Sequence, residues 1–290
     1  MISHSFDYAS PKSLDEAVAL ITKDSNARIL AGGQELVPQM QLRQISPGKL
    51  VDLRLIPGLR GTTRRAGDDF LYVGAMTTAS EIAADMALQT HCRALVDAAT
   101  SMGDVQVRNC ATIGGNLAGG HPGADLAAAV LVLNASIKAI GSNGARMLGV
   151  AEFFIGPYDT DLENEIITEV RLPLLPDRSG SAYEKIKNPA SGYPLCGVAA
   201  FVTLTQSGDV ASCRVAVTGA TSHPVRLRGV ENDLTGSSAT AANIAAAAVF
   251  ADHNLTFVSD LSASAEYRAN LTQVLVERAL ASAADRAGRR

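Results

Sequence analysis

Cysteine is scarce and scattered. Cys92, Cys110, Cys196 and Cys213 are the four in 290 residues, and no two form a C-x-x-C pair. A disulfide framework is not expected in a chain of this size. The closely spaced thiolates that hold an iron–sulfur cluster are missing too. These cysteines are therefore expected to be small buried apolar residues. His4, His91, His121, His223 and His253 show neither i, i+4 pairing nor metal-ligand spacing, so no metal site is expected. Charge is also sparse. A net charge of −4 and a pI near 5.7 provide no basic face for nucleic acid. No apolar run nears the roughly 20 residues of a membrane span; LAAAVLVLNA (126–135) is among the longest. MISHSFDYAS, at the start, lacks the basic opening and apolar core of a signal peptide, so the expected compartment is the cytoplasm.

What is present is an ordinary globular composition, 47% hydrophobic, with length enough for two domains. SLDEAVALITKD (13–24) opens on Ser13 with Glu16 three residues later, a capping-box spacing, and its apolar residues recur at helical intervals. ARILAGG (27–33) is expected to be a buried strand entering a glycine turn. KLVDLRLI (49–56) and FLYVGAMTT (70–78) are expected as two more strands, and residues 81–102 as two helical stretches. Strands alternating with helices imply an α/β or α+β fold. RLPLLPDRSGSA (171–182) collects prolines and small residues, which suits a domain boundary. After it, residues 197–220 carry two β-rich runs around Ser-Gly-Asp, a hairpin signal, and SSATAANIAAAAVFAD (237–252) and SAEYRANLTQVLVERALASAADRAGR (264–289) are expected to be helical.

Glycine is the informative residue. ATIGGNLAGGHPGAD (111–125) holds five in fifteen positions, directly before an apolar run. AGGQELVPQM (31–40) places a second glycine pair at a strand end. One such stretch is equally a flexible surface turn. Two suggest a ligand, such as a pyrophosphate, held from both sides by main-chain donors. Neither stretch ends in Gly-Lys-Ser/Thr and neither is G-x-G-x-x-G, which disfavours a Walker A loop and a Rossmann site.

ILAGGQELVPQMQLR, LVDLRLIPGL, VGAMTT and VRNCATIGGNLAGGHPGAD, in that order, resemble the FAD-binding medium subunit of molybdenum hydroxylases, the carbon monoxide dehydrogenase and xanthine dehydrogenase group. The resemblance continues through AYEKIKNPASGYPLCGVAA, GATSHPVRLRGVE and ASAEYRANLTQVLVERAL, so it runs nearly end to end. It implies an α+β chain with a vanillyl-alcohol-oxidase-like (PCMH-type) FAD-binding domain over residues 1–176. That domain would comprise two α/β subdomains, about 1–57 and 58–176, followed by a C-terminal domain of antiparallel sheet and helices over 177–290. By the same resemblance, Ala31, Gly32, Gly33, Gln34 and Glu35 form one diphosphate loop, and Thr112, Ile113, Gly114, Gly115 and Asn116 the other. Asp125 matches an acidic ligand of the adenosine half, with capping of the following helix as its alternative role. Ile167 matches an apolar contact to the isoalloxazine. Lys185, with Lys187 as its neighbouring rival, matches a lysine beside the flavin ring that would stabilise the reduced, anionic form. Tyr193 sits where relatives place an aromatic residue against the flavin.

Glu35 departs from the Ala-Gly-Gly-x-Ser-Leu pattern of many medium subunits. A carboxylate repels a diphosphate, so Glu35 is expected to turn toward ribose or a backbone N–H. His121 falls in a variable part of the second stretch and is not expected to act as a base. No residue is assigned a catalytic or metal-ligating role. The resemblance implies that hydroxylation occurs on a large partner bearing a molybdopterin cofactor, and that a small partner with two [2Fe-2S] clusters delivers electrons. The FAD of this chain would hand them to an external acceptor, within a dimer of three-chain units. Two alternatives are a stand-alone flavin oxidoreductase of the same fold and an assembly subunit that has lost its flavin.

Overall fold

The structure is a computed structural model that describes residues 4–289; residues 1–3, at the start of the stretch read for a leader, and residue 290 lie outside it. Asp7–Ala9 (β1), Leu14–Lys23 (α1), Ala27–Leu30 (β2), Leu36–Gln41 (α2) and Lys49–Asp52 (β3) come first. The strands run parallel in the order β1-β3-β2, with α1 and α2 in the crossovers that parallel neighbours require. Ser13 Oγ accepts the N–H of Glu16 at 3.2 Å. The Glu16 carboxylate, however, takes the N–H of Lys12, so only half the capping box closes. The strand expected over 49–56 ends at Asp52. That buried carboxylate accepts the N–H of Arg54 at 2.9 Å and turns Leu53–Leu55 into a 3-10 turn.

A second layer begins with Thr62–Arg64 (β4) and Phe70–Gly74 (β5). Six helices follow: Ala79–Ala84 (α3), Met86–His91 (α4), Arg93–Ser101 (α5), Val105–Cys110 (α6), Ile113–Ala118 (α7) and Asp125–Val132 (α8). Then come Ser136–Gly141 (β6), Gly144–Gly149 (β7), the short pair Phe154–Gly156 (β8) and Asp159–Thr160 (β9), and Ile166–Pro173 (β10). The sheet β4-β5-β10-β6-β7 is antiparallel throughout. Residues 81–102 fall in three helices rather than two, because Asp85 caps a new one by accepting the N–H of Leu88 at 2.9 Å and Cys92 breaks another. The strand expected over 70–78 stops at Gly74, since Thr78 and Glu81 close a reciprocal capping box that starts α3. Every residue of α8 is buried, as expected of a helix that is apolar all round.

The third layer is the antiparallel sheet of Ser179–Lys187 (β11), Pro194–Leu204 (β12), Val210–Thr218 (β13) and Val225–Arg226 (β14). Arg228–Leu234 (α9), Ala241–Ala248 (α10) and Ala265–Gly288 (α11) complete it. The β12–β13 hairpin turns at Gly208, where φ is +92°. Period-two alternation explains how this sheet is buried on both sides. Tyr183, Ala199, Phe201 and Ala216 join the core around α5 and α8. Val198, Ala200, Val202, Val215 and Val217 lie under α9, α10 and α11. Helix α11 crosses β11 at Gly180, where a Cβ would run into the carbonyl of Ala283. Cys92, Cys196 and Cys213 are buried as expected; Cys110, at the end of α6, is exposed.

Candidate cofactor site

The three layers meet around a cavity of about 620 Å³. Of the residues expected there, all line it except Ile113 and Lys185. The two glycine stretches do come together. A Cβ on Gly32 would collide with the carbonyl of Cys110, and a Cβ on Gly115 would lie 3.7 Å from Ala31 Cβ. Gly33 has φ of +70°, which only glycine adopts without strain and which turns β2 into α2.

The stretches play different parts. Among the described residues no acceptor takes the N–H of Gly32, Gly33, Gln34 or Glu35, so four consecutive donors line the cavity wall unpaired. Unpaired backbone donors clustered at a turn form an anion-binding concavity. Residues 112–116 are not a loop but the N-cap and first turn of α7, and their donors are used internally. Ile113 N–H bonds Thr77 O at 3.0 Å, Gly114 N–H bonds Ala75 O at 2.8 Å, and Asn116 N–H bonds Thr112 O at 2.9 Å. Gly115 N–H bonds Thr112 Oγ at 3.1 Å. Gly114 is glycine for packing, since its Cβ would lie 2.7 Å from that of Ala75. Ile113 is core, fully buried. Asn116 Oδ1 holds the start of α8 by accepting from Leu126 N–H at 3.1 Å, and its amide nitrogen has no acceptor among the described residues.

Asp125 does not cap α8. It is the first residue of that helix, and its carboxylate is turned into the protein interior. Lys185 Nζ lies 2.8 Å from Oδ1 and 3.0 Å from Oδ2, and Tyr183 Oη donates at 2.7 Å. The ammonium also donates to Ser101 O at 3.2 Å. Both charged side chains are only 4% exposed. Burial pushes the Asp125 carboxyl up and the Lys185 ammonium down, and each partner's charge offsets part of that. The Lys185 charge is thus already matched, and its visible work is to tie β11 to α8 and α5. Lys187, at the exposed end of β11, makes no comparable contact among the described residues.

Ile167 also lines the cavity, where β10 bulges between Ile167 and Glu169, a device that re-aims a strand beside a site. Tyr193 stacks on His121 with centroids 4.4 Å apart and planes 15° apart, and Tyr158 meets His121 edge-on at 5.2 Å. Burial pushes His121 down to about 4, and its Nδ1 accepts the Gly123 N–H at 2.9 Å, so the ring is neutral at neutral pH. Tyr158, Asn164, Met102, Gly103 and Gly192 also line the cavity and were not anticipated. Gly103 and Gly192 touch across it, a Cβ on Gly192 lying 3.0 Å from Gly103 Cα. Their positive φ values are the one trace such a contact leaves in sequence, as glycines.

A mostly apolar cleft with one patch of unpaired main-chain donors suits a nucleotide-derived redox cofactor that carries a diphosphate between two ring systems. Residues 4–175 match the family model "FAD binding domain in molybdopterin dehydrogenase", and residues 181–283 match "CO dehydrogenase flavoprotein C-terminal domain". The chain belongs to this family of FAD-binding dehydrogenase subunits. It is 37% identical to the carbon monoxide dehydrogenase medium chain of Hydrogenophaga pseudoflava, covering 98% of both chains. It is 34% identical to the 6-hydroxypseudooxynicotine dehydrogenase complex subunit alpha of Paenarthrobacter nicotinovorans, covering 98% of this chain and 96% of that one. Among solved structures, carbon monoxide dehydrogenase from H. pseudoflava matches with a TM-score of 0.94 at 36% identity, covering 99% of both chains. Quinoline 2-oxidoreductase from Pseudomonas putida 86 matches with a TM-score of 0.91 at 29% identity, again over 99% of both. These relatives are medium, FAD-binding subunits of molybdenum hydroxylase complexes, and the mixed helix-and-sheet fold is theirs.

Proposed function

We propose that this chain holds one FAD and relays electrons from a small [2Fe-2S] subunit to an external acceptor, while a large molybdopterin-binding subunit oxidises the substrate. The assembly is a dimer of such three-chain units in the cytoplasm; among the described residues no helix is long and apolar enough to cross a membrane. The domain divisions proposed at 57/58 and 176/177 leave each of the four sheets inside one segment.

The observation that carries the reading is the row of unpaired N–H groups from Gly32 to Glu35 on the cavity wall of a chain with this fold. Those groups would hold the diphosphate, with the Asn116 amide at its edge. Gly115 keeps the opposite wall low. Ile167 and Tyr193 would enclose the ring end and exclude water from it. Asp125 would reach the adenosine half only by the edge of its carboxylate, since Lys185 and Tyr183 already hold both oxygens. When bound, the flavin supplies a centre that takes electrons singly and releases them singly or in pairs. The test is to remove FAD from the purified chain, titrate it back, and add a reduced [2Fe-2S] companion chain without oxygen. Stoichiometric rebinding and bleaching of the flavin band support the reading. An apo chain that never takes FAD refutes it.

A further inference from the structure

Glu35 is the last of the four residues with unpaired N–H groups, and its side chain also lines the cavity. The carboxylate lies flat on Gly119: a Cβ built there would collide with Oε2 and lie 2.9 Å from Cδ and 3.0 Å from Oε1. Position 119 is glycine because this carboxylate occupies the space. Among the described residues its one hydrogen-bond donor is Gln39 Nε2, at a long 3.4 Å, and no cation pairs with it.

The ionisable groups facing it from neighbouring elements do not supply one. His121 is neutral at neutral pH, and Tyr158 and Tyr193 are uncharged, their hydroxyls pushed up by burial and by Glu35 itself. Across the cavity Asp125 is matched by Lys185 and Glu165 by Arg146, while Arg28 donates to the carbonyls of Ser25 and Ala27. Burial alone already pushes the Glu35 carboxyl up to about 7. A dianionic diphosphate on the adjacent N–H groups would raise it further, because like charges at close range disfavour ionisation.

Resting on the reading above, we propose that Glu35 is the proton-linked residue of the cofactor site: its carboxyl is protonated when the flavin diphosphate occupies the Gly32–Glu35 turn, so that binding takes up a proton wherever the free carboxyl is ionised. The neutral carboxyl removes the repulsion and adds an O–H donor beside the diphosphate. Linkage fixes the sign. Affinity is highest below the free-site value and falls as pH rises above it, by up to about tenfold per pH unit.

The experiment is FAD binding to the flavin-stripped full chain from pH 6 to 9, by fluorescence quenching, with calorimetry in buffers of different ionisation enthalpy. The wild-type dissociation constant should be flat near pH 6 and rise by up to about tenfold per unit above pH 7.5, with nearly one proton taken up at pH 8.5. Glu35→Gln, which keeps the shape without the charge, should bind with no such slope and more tightly than wild type at pH 8.5. If that variant fails to fold, the calorimetric proton count on wild type decides alone. Tight binding without proton uptake, or a Glu35→Gln variant that keeps the wild-type slope, overturns the inference and leaves the flavin reading intact. No FAD binding at any pH overturns both.

Discussion

Replacing Lys185 with methionine keeps an unbranched stem of similar volume and deletes the ammonium that faces Asp125 at 2.8 Å. At an effective dielectric constant of about 20, two unit charges at that distance attract by roughly 6 kcal/mol. Desolvation of two side chains that are each 4% exposed offsets much of this while the pair is intact. With one partner removed, Asp125 is left buried with the Tyr183 hydroxyl as its remaining donor, a state that costs about 3–5 kcal/mol. Urea unfolding of the purified chain at pH 8, followed by far-UV dichroism, reads this out. With a slope of about 3 kcal/mol per molar, the midpoint should fall by about 1–2 M. The loss should shrink at pH 5, since without Lys185 the carboxyl protonates more readily and the buried charge disappears. Asp125→Asn with Lys185→Met should recover most of the stability, because the amide oxygen still accepts from Tyr183 and no charge is buried. A single substitution costing less than about 1 kcal/mol, or a double variant no more stable than Lys185→Met alone, would refute the pairing as the tie between β11 and α8.

Gly114→Ala should destabilise by about 1–3 kcal/mol through overpacking on Ala75, and reversible FAD binding by the folded fraction should be unimpaired, as measured by flavin titration after refolding. Gly33→Ala forces a side chain onto φ of +70°, a strain of about 1–2 kcal/mol, and should weaken FAD binding by up to about thirtyfold as the turn relaxes. His121 is pushed down to about 4, so its neutral form contributes stability that is present above the ordinary histidine range and lost as pH falls toward 4. His121→Phe, which keeps a ring against Tyr193, should flatten the drop in urea midpoint between pH 7 and 5. A variant whose midpoint falls as steeply as the wild type's would contradict the neutral stacked imidazole.

The parts of this fold that were legible in sequence are those governed by local pattern. The 3.6 spacing of α1, the β-rich runs of β12 and β13 around their Ser-Gly-Asp turn and the glycine turn after β2 all follow from residues a few positions apart. Element ends depart from the sequence pattern where a side chain overrides propensity: Asp52 stops β3, Asp85 starts α4, and Thr78 with Glu81 ends the extended run after β5. The two glycine pairs looked alike in sequence and differ in structure, since the donors at Gly114 and Gly115 bond Ala75 and Thr112 while those at Gly32 and Gly33 have no acceptor. For Gly114 that difference depends on a segment about forty residues away, and for Gly115 on the N-cap hydroxyl of its own helix. The seat of Glu35 on Gly119 and the capture of Lys185 by Asp125 are likewise long-range facts, for which sequence supplied the residues but not the pairing.

The central claim is tested most directly by isolating the chain from its own cells with whatever accompanies it and counting flavin, iron and molybdenum per copy. One FAD per chain is expected, with iron in a small cysteine-rich companion and molybdenum in a large one. A chain that emerges alone and yellow would contradict the electron-relay role, and one that emerges with both companions but without flavin would contradict the site.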